Sequence, residues 1–414
     1  MEDSLLAELD RRLAEADAAL AALYSGDRGV RQPVHTVYVP ADRFEAGTVA
    51  AWAAEARAAL DEHGGSAEVL AEALELPAEH AAEVYERVRA KLEREPIEDL
   101  RIDFEDGYGT RPDEQEDAAA ISAARALASL VKADAAPPYH GLRIKSLEAP
   151  SRRRGVRTLD LFLGEFVEAL TDGFVITLAK VTSVEQIEAM VVVLEALERA
   201  HAVPSGSLKF EIQVETPQAI LGAEGDAPLG RMIRAGAGRV TGLHYGTYDY
   251  SASLGIAAAY QSMEHPVADH AKNVMQLAAA GTGVFVCDGS TNVLPVGDRA
   301  KVHAAWRLHQ RLVRRSLERG IYQGWDMHPA QLPTRYVATY LFYREGLTTA
   351  AARLRAYVEG GTSGYLDEPA TAAALATYIL RGTECGAISQ PELDDLLGLN
   401  TPALAKLARR PLHP

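Results

Sequence analysis

Apolar residues occupy every second position of LKFEIQVETP, residues 208–217. A period of two residues predicts a β-strand with one buried face. We expect the strand to end before Pro217, because proline lacks an amide proton and disfavours helical geometry in the residue before it. Glu215 is thus predicted at the carboxyl end of a strand, where a carboxylate is either solvated or part of a site.

Short apolar segments of this kind recur along the chain, separated by longer stretches with helical periodicity. Besides 208–215, the predicted strands are 34–39, 100–104, 141–146, 173–181, 239–245, 283–287 and 321–325. The predicted helices between them are 114–131, 157–170, 184–200, 217–235, 266–281 and 298–319. Eight strands alternating with helices predict an α/β fold, a (β/α)8 TIM barrel, in preference to an open doubly wound sheet.

Three helical regions extend this pattern. Residues 2–24 predict an amphipathic helix with leucines on one stripe, and residues 1–30 are assigned to it. The barrel is expected over 31–332, with an insertion of two or three helices at 45–95 after the first strand. Residues 333–414 predict a C-terminal helical extension, since they are too long to be only the closing helix.

The composition argues against several classes of binding partner and against a secreted or membrane-spanning protein. The formal charge is −16, from 42 Lys+Arg against 58 Asp+Glu, which argues against binding to nucleic acid or to an anionic membrane. Only two cysteines are present, so neither a disulfide framework nor a thiolate zinc site is expected. The N-terminus lacks the apolar core of a signal peptide, and no apolar run approaches the ~18 residues of a membrane span. A soluble, cytoplasmic protein is predicted.

The chemistry-bearing residues cluster where strands are predicted to end. In a barrel these carboxyl ends form the catalytic mouth. An excess of carboxylates there would repel itself, so a bound cation is expected. Mg²⁺ suits such a set because it prefers oxygen ligands and keeps part of its hydration; Mn²⁺ is the alternative ion. The residues concerned are Glu105, Asp106, Arg143, Lys145, Lys180, Glu215, Asp249, Asp288, Asp326 and His328.

Several of these residues also have a purely structural interpretation. Arg143 lies between Leu142 and Ile144 of a strand and is expected to point oppositely, into the barrel, where a buried guanidinium needs an anionic partner. Lys145 could be solvated, and Asp103 could be an interior ion-pair residue. The run at 152–154, three arginines, is most simply a solvated loop.

Six segments, in this order, resemble the HpcH/HpaI aldolase and citrate lyase beta-subunit family. They are RIDFEDGYG, LRIKS, AKVTS, QVETPQAIL, YGTYDYSASLG and GWDMHPAQ, spanning about residues 100–332. The resemblance implies a TIM barrel with Mg²⁺ held by Glu215 and Asp249. It also implies a substrate-binding Arg143 and an acidic strand end formed by Asp103, Glu105 and Asp106. AKVTS and GWDMHP depart from the family pattern, so the acyl group and the use of a coenzyme A thioester stay open.

The resulting hypothesis is a metal-dependent carbon–carbon lyase or aldolase, citrate lyase beta-like, acting on a 2-oxo-acid or its aldol adduct through a metal-stabilised enolate. Arg143, Glu105 and Asp106 are the expected catalytic residues. Arg143, Lys180, Asp288 and His328 are expected to bind the substrate, and Glu215 and Asp249 the metal. A homo-oligomer is expected. Two alternatives stay open: a Schiff-base aldolase using Lys180 or Lys145, and a barrel that binds an acidic metabolite without turnover.

Overall fold

Eight parallel strands form the centre of the protein. The computed structural model describes residues 2–361, 364–365 and 367–409. The strands are β1 His35–Pro40, β2 Asp99–Asp103, β3 Tyr139–Ile144, β4 Phe174–Leu178, β5 Lys209–Val214, β6 Val240–Tyr245, β7 Phe285–Cys287 and β8 Gly324–Asp326.

The strands pair side by side in the order β7-β6-β5-β4-β3-β2-β1-β8, and every pair is parallel. A single parallel bridge between Cys287 and Gln323 joins the two outer strands and nearly closes the sheet on itself. The predicted (β/α)8 barrel is therefore confirmed, and the carboxyl ends of all eight strands lie at one mouth.

Helices surround the barrel and extend it at three places. The helices are α1 Glu2–Leu23, α2 Thr48–Ala59, α3 Ala67–Leu74, α4 Ala78–Arg94, α5 Asp113–Lys132, α6 Arg152–Phe166, α7 Val184–Ala200, α8 Pro217–Ile220, α9 Leu229–Ala235, α10 Thr247–Ser253, α11 Pro266–Ala279, α12 Arg299–Glu318, α13 Leu332–Glu359, α14 Pro369–Glu384, α15 Gln390–Leu397 and α16 Thr401–Ala408. A five-residue π-helix follows α2, and 3-10 turns lie at 167–169, 258–260 and 329–331.

The pleat of each strand separates an apolar face from a polar one. Leu142 and Ile144 of β3, like Ile212 and Val214 of β5, are fully buried in the layer between strands and helices. The residues between them point into the barrel, because successive strand side chains alternate in direction. Arg143 has this inward orientation, as the sequence predicts.

Ion pairs fill part of the barrel interior, where branched apolar side chains are more usual. Arg101 of β2 donates from Nη2 to Glu211 Oε2 of β5 at 2.9 Å and also bonds Asp99. Thr177 Oγ1 donates to Glu211 Oε1 at 2.5 Å, and His244 Nε2 lies 3.0 Å from Glu211 Oε2. Because burying a charge is costly unless it is paired, this network stabilises strand pairing only as a connected set.

The region after β5 differs from the sequence prediction. One helix was expected over 217–235, but α8 ends at Ile220 and α9 begins only at Leu229. The stretch between them includes Gly225 with φ +76°, a left-handed geometry that favours glycine and interrupts a helix. The prediction of a continuous helix over 217–235 is wrong because the glycine geometry at Gly225 outweighs the helical periodicity of the sequence.

The helical regions outside the barrel are present in the described chain. α2, α3 and α4 lie between β1 and β2, and α14–α16 pack with α13 in a separate apolar cluster. The division into domains stays a prediction, and residues 1, 362–363, 366 and 410–414 of the predicted end segments lie outside the described residues. No helix in the described part of the chain has the length and apolar character needed to cross a bilayer.

Candidate active site

Four carboxylates surround one ammonium group at the carboxyl mouth of the barrel. Lys180 Nζ donates to Asp106 Oδ2 at 2.9 Å and forms a short ion pair with Asp249. Glu105 Oε1 and Glu215 Oε2 each lie 3.7 Å from the same nitrogen. Side chains from the turns that follow β2, β4 and β5 thus meet a side chain of α10 at one point, which we call the Lys180 cluster.

The turn after β2 positions Glu105 and Asp106. Asp103, the last residue of the strand, accepts the amide protons of Glu105 at 2.9 Å and of Gly107 at 2.8 Å. A Cβ on Gly107 would lie 2.5 Å from Asp103 Oδ2, so the turn requires glycine there. Asp103 therefore orders the acidic turn, while the two following carboxylates reach the cluster.

Backbone and side-chain donors hold Glu215 in place. Gln213 Nε2 donates to Glu215 Oε2 at 2.5 Å, and the Lys180 amide donates to Glu215 Oε1 at 2.8 Å. Lys180 has φ +53°, a left-handed conformation that costs a non-glycine residue on the order of 1 kcal/mol. Gly246 also approaches closely, since a Cβ there would lie 2.5 Å from Glu215 Cβ.

Arg143 is a fixed cation beside the cluster. Its Nε and Nη2 donate to the two oxygens of Asp103 at 2.7 and 2.6 Å, a bidentate arrangement. Its Nη1 donates to Gln213 Oε1 at 3.2 Å and lies 3.7 Å from Glu105 Oε2. The side chain is only 2% exposed, so Arg143 carries a positive charge that the surrounding bonds prevent from moving.

Two aromatic rings line this part of the mouth. The guanidinium of Arg143 lies 4.8 Å from the Tyr38 ring centroid and 5.7 Å from that of Trp325, and the two rings contact each other. The buried Trp325 Nε1 has no hydrogen-bond partner within the described residues. A buried donor without a partner is costly, so an oxygen of a bound molecule placed beside this N–H would satisfy it.

The electrostatics of the cluster follow from its excess of acids over cations. Burial raises the pKa of Glu215 to about 8, although Lys180 and Arg143 oppose the shift. Burial likewise raises the pKa of Glu105 to about 7 against the attraction of Arg143. Burial alone would lower the pKa of Lys180, but Glu215, Glu105, Asp249 and Asp106 outweigh it and raise that pKa. A further cation is therefore favoured at this mouth.

The carboxylates of the Lys180 cluster fit a metal ion that needs few protein ligands. Within the described ranges, no group of three or more His, Cys, Asp or Glu side chains is arranged as a ready-made metal cage. Glu215 and Asp249 nevertheless converge on the same cation, Lys180 Nζ. Mg²⁺ is commonly held by one or two carboxylates plus water and substrate oxygens, so this donor set fits the ion.

Two predicted substrate-binding residues make their described contacts outside the Lys180 cluster. The Asp288 carboxylate accepts bonds from Lys272 Nζ at 2.9 Å and Ser316 Oγ at 2.6 Å, and the residue is 1% exposed. His328 accepts the Ala330 amide proton through Nδ1 at 3.1 Å and begins the 3-10 turn after β8. Asp288 therefore joins β7 to helices α11 and α12 instead of facing the cluster.

Lys145 and Asp326 also have structural partners. Lys145 Nζ donates to Glu116 Oε2 of α5 at 2.7 Å and to the carbonyl of Phe104 at 2.7 Å, which steadies the turn after β2. Asp326 pairs with Arg335 Nη2 at 2.7 Å on the helix side of β8. The structure thus brings together Glu105, Asp106, Arg143, Lys180, Glu215 and Asp249 of the predicted set, whose roles stay predictions.

Sequence reasoning missed three residues of the site. Gln213 has the same strand parity as Glu215, a signal that was present but not used. Tyr38 and Trp325 lie on β1 and β8, whose pairing becomes visible only when the barrel closes. No local pattern in the sequence distinguishes them from ordinary core aromatics.

Comparison with known proteins gives one sequence family and a set of solved structures. A search among curated proteins found no match. Haloferax volcanii malate synthase, as its lead(II) complex, is 16% identical with a TM-score of 0.52, covering 92% of this chain and 90% of that chain. Its magnesium/glyoxylate complex is 15% identical with a TM-score of 0.51, covering 93% and 99%.

Two further solved structures are similar. Mycobacterium tuberculosis CitE, in complex with magnesium, acetoacetate and coenzyme A, is 18% identical with a TM-score of 0.48 and coverage of 86% and 99%. An HpcH/HpaI aldolase/citrate lyase family protein from Burkholderia cenocepacia is 17% identical with a TM-score of 0.40 and coverage of 79% and 99%. At these identities the likeness to solved structures concerns the fold, and the (β/α)8 barrel is the fold that the resemblance in the motifs implies.

The match to a sequence family extends over nearly the whole chain. Residues 13–412 match a family described as "Domain of unknown function (DUF6986)". That range begins within α1 and includes the barrel, the helices after β1 and the C-terminal helices. The chain therefore belongs to the DUF6986 family.

Proposed function

We propose that this protein is a Mg²⁺-dependent carbon–carbon lyase or aldolase that acts on a 2-oxo-acid or its aldol adduct. The observation that carries the proposal is the Lys180 cluster, in which Glu215 and Asp249 converge on one cation beside the fixed guanidinium of Arg143. Haloferax volcanii malate synthase, a neighbour in fold, has been solved with magnesium and glyoxylate and with pyruvate and acetyl-CoA, which supports an oxo-acid as the substrate class.

The residues of the chain divide the work as follows. Glu215 and Asp249 would hold the ion, which when bound supplies Lewis-acid stabilisation of the negative charge that develops as the carbon–carbon bond breaks or forms. Arg143 Nη1, the guanidinium nitrogen that Asp103 does not use, donates to the substrate carboxylate. The Trp325 N–H donates to a second substrate oxygen.

Glu105 is the group best suited to move a proton. Its pKa of about 7 lets it be present in both protonation states near neutral pH, which is the condition for an efficient general acid or base. The charge of a bound divalent ion would oppose this rise and lower the pKa of Glu105 from that value. Asp106, which bonds Lys180 and is more exposed, is placed to orient water around the ion.

The Schiff-base alternative requires a neutral amine at Lys180. The surrounding carboxylates raise the pKa of this amine above its ordinary value even though it is partly buried. A nucleophilic lysine needs the opposite shift. We therefore expect borohydride to trap no substrate on Lys180.

The test combines turnover with direct metal binding. Cleavage of a panel of 2-oxo-acid aldols, and of their coenzyme A thioester counterparts, is measured with and without EDTA. Glu215→Gln and Asp249→Asn are compared with Glu185→Gln, which changes an exposed carboxylate in the first turn of α7. We expect EDTA to abolish turnover and the first two variants to lose Mg²⁺ binding by calorimetry, with the control unchanged.

Cleavage that persists without metal would contradict the mechanism, as would metal binding that survives both substitutions. If metal binds but no aldol in the panel is cleaved, the lyase assignment is contradicted and the non-catalytic barrel is favoured.

A further inference from the structure

The N-terminal helix exposes an unusual number of leucines. In α1 the side chains of Leu5, Leu6, Leu9, Leu13 and Leu20 are 56%, 56%, 43%, 51% and 45% exposed. Between Ser4 and Leu23, only Glu8 and Leu23 are partly buried. An amphipathic helix normally turns such a stripe toward its own core, whereas the leucines of this stripe are exposed.

The leucines follow a seven-residue repeat. Leu6, Leu13 and Leu20 occupy the first core position of successive heptads, and Leu9, Ala16 and Leu23 occupy the second. A 3.5-residue apolar repeat is the pattern that seats one helix against another in a coiled coil. These six core positions, which we call the seam, are all apolar. The helix that carries them is about 33 Å long at 1.5 Å per residue.

The C-terminal end of α1 is attached to the barrel at the face opposite the Lys180 cluster. The Gly26 amide donates to the Gly281 carbonyl at 2.9 Å, just before β7 begins. Arg28 donates to the Thr241 carbonyl at 3.1 Å, near the start of β6, and its guanidinium lies 4.5 Å from the Phe285 ring centroid. The helix thus projects from a fixed base at the amino-terminal ends of the strands.

We propose that α1 is a self-association arm that pairs with α1 of a second copy of this chain as a parallel coiled coil. The charges that flank the seam select this orientation. In a parallel pair, Arg12 of one copy faces Asp17 of the other, and symmetry gives this contact twice. In an antiparallel pair, Asp10 and Asp17 face the acidic edge of the second helix, which like charges disfavour.

Arg12 remains available for this contact. Within the single chain its Nε donates to Glu8 Oε1 at 2.6 Å, and the side chain of Arg12 is 71% exposed. The other guanidinium nitrogens can therefore reach Asp17 of the second copy. Because the pairing occurs at the amino-terminal face, the two carboxyl mouths stay open, and association is separable from the proposed catalysis.

The test is the mass of the full-length chain by sedimentation equilibrium over a range of concentrations. Leu13→Asp places a charge in the seam, and Ala14→Asp places the same charge on the outer face of the same helix. We expect the wild-type chain and Ala14→Asp to dimerise alike and Leu13→Asp to raise the dissociation constant at least tenfold. Circular dichroism and Mg²⁺ binding are expected to be the same for all three, which separates this proposal from the proposed function.

Orientation is tested by charge reversal and by cross-linking. Arg12→Asp is expected to weaken the dimer, and adding Asp17→Arg to restore it. Leu13→Cys is expected to form an intermolecular disulfide on mild oxidation, since parallel pairing places residue 13 opposite itself and both native cysteines are buried. A monomeric wild-type chain, or equal masses for Leu13→Asp and Ala14→Asp, would overturn the proposal. Failure of both the cross-link and the charge rescue would overturn its parallel orientation.

Discussion

Replacing Lys180 by methionine tests whether the Lys180 ammonium occupies the position that the proposed metal ion would take. The ammonium lies within 4 Å of the two expected ligands, Glu215 and Asp249. A divalent ion bound to those carboxylates must displace it. Methionine has a similar length and meets the same left-handed backbone geometry, so the substitution removes the charge with little change in shape.

The size of the effect follows from the distances. Glu215 must be ionised to hold the metal. For the ionised form, at an effective dielectric constant of about 20, moving a unit charge from 3.7 Å to about 8 Å from Glu215 costs about 2 kcal/mol. Asp249 adds little to this value, because its side chain is 46% exposed and water screens it. We therefore expect a net gain of about 2 kcal/mol in Lys180→Met, equivalent to roughly 30-fold tighter binding of Mg²⁺.

Calorimetric titration with Mg²⁺, repeated with Mn²⁺, measures this change. Lys209→Met is the matched control, since it removes one positive charge at the start of β5, where Lys209 donates to the Gly238 carbonyl at the opposite end of the barrel. Its affinity is expected to stay within twofold of the wild-type value. Equal or weaker binding in Lys180→Met, with the protein folded, would refute the idea that Lys180 competes with the ion.

Three further predictions follow from single contacts. Gly246→Ala brings a Cβ within 2.9 Å of Glu215 Oε2. It is expected to weaken Mg²⁺ binding at least tenfold by calorimetry and to lower the free energy of unfolding by about 1–3 kcal/mol. Unchanged binding would show that Glu215 is not a ligand. Trp325→Phe keeps an aromatic ring, though a smaller one, and removes the unpartnered N–H, so KM for the oxo-acid is expected to rise about tenfold with kcat little changed. An unchanged KM would remove Trp325 from the proposed substrate site. Arg239 and two backbone amides hold the pKa of Glu198 at about 2, although burial opposes this shift. The resulting stabilisation of the folded state is complete above pH 4.5 and is lost as the pH falls toward 2. Glu198→Gln should therefore unfold about 3 kcal/mol more easily in urea at pH 7, and a penalty that persists at pH 2 would contradict the linkage.

Strand ends were the most predictable part of the site. Glu215 and Glu105 follow apolar runs of regular period, and a parallel barrel brings such ends to one mouth whatever the loops do. The same logic misplaced Asp288, although it also follows a short strand. β7 has only three residues, too few for parity to fix which way the next side chain points, and Lys272 on α11 supplies a partner on the helix side.

Features that depend on closure of the barrel could not be predicted. Trp325 and Tyr38 meet because β8 pairs with β1, two segments separated by most of the chain. The left-handed geometry of Lys180 likewise has no signature in AKVTS, since lysine does not favour it. It arises because the Lys180 amide bonds Glu215 at the end of the next strand.

The two cations of the mouth differ in a way that bears on the order of binding. Arg143 is held by two bonds to Asp103 and one to Gln213, and it lies beside the Tyr38 and Trp325 rings. Displacing it would leave a buried carboxylate unpaired at a cost of several kcal/mol. Lys180 reaches its partners through a flexible side chain that is 22% exposed, so its ammonium group can move into the solvent. Arg143 therefore keeps its place whether or not an ion is present, and Lys180 is the cation that exchanges. Under the proposed function, a substrate carboxylate could therefore bind Arg143 before or after the metal, whereas the metal could bind only as Lys180 leaves.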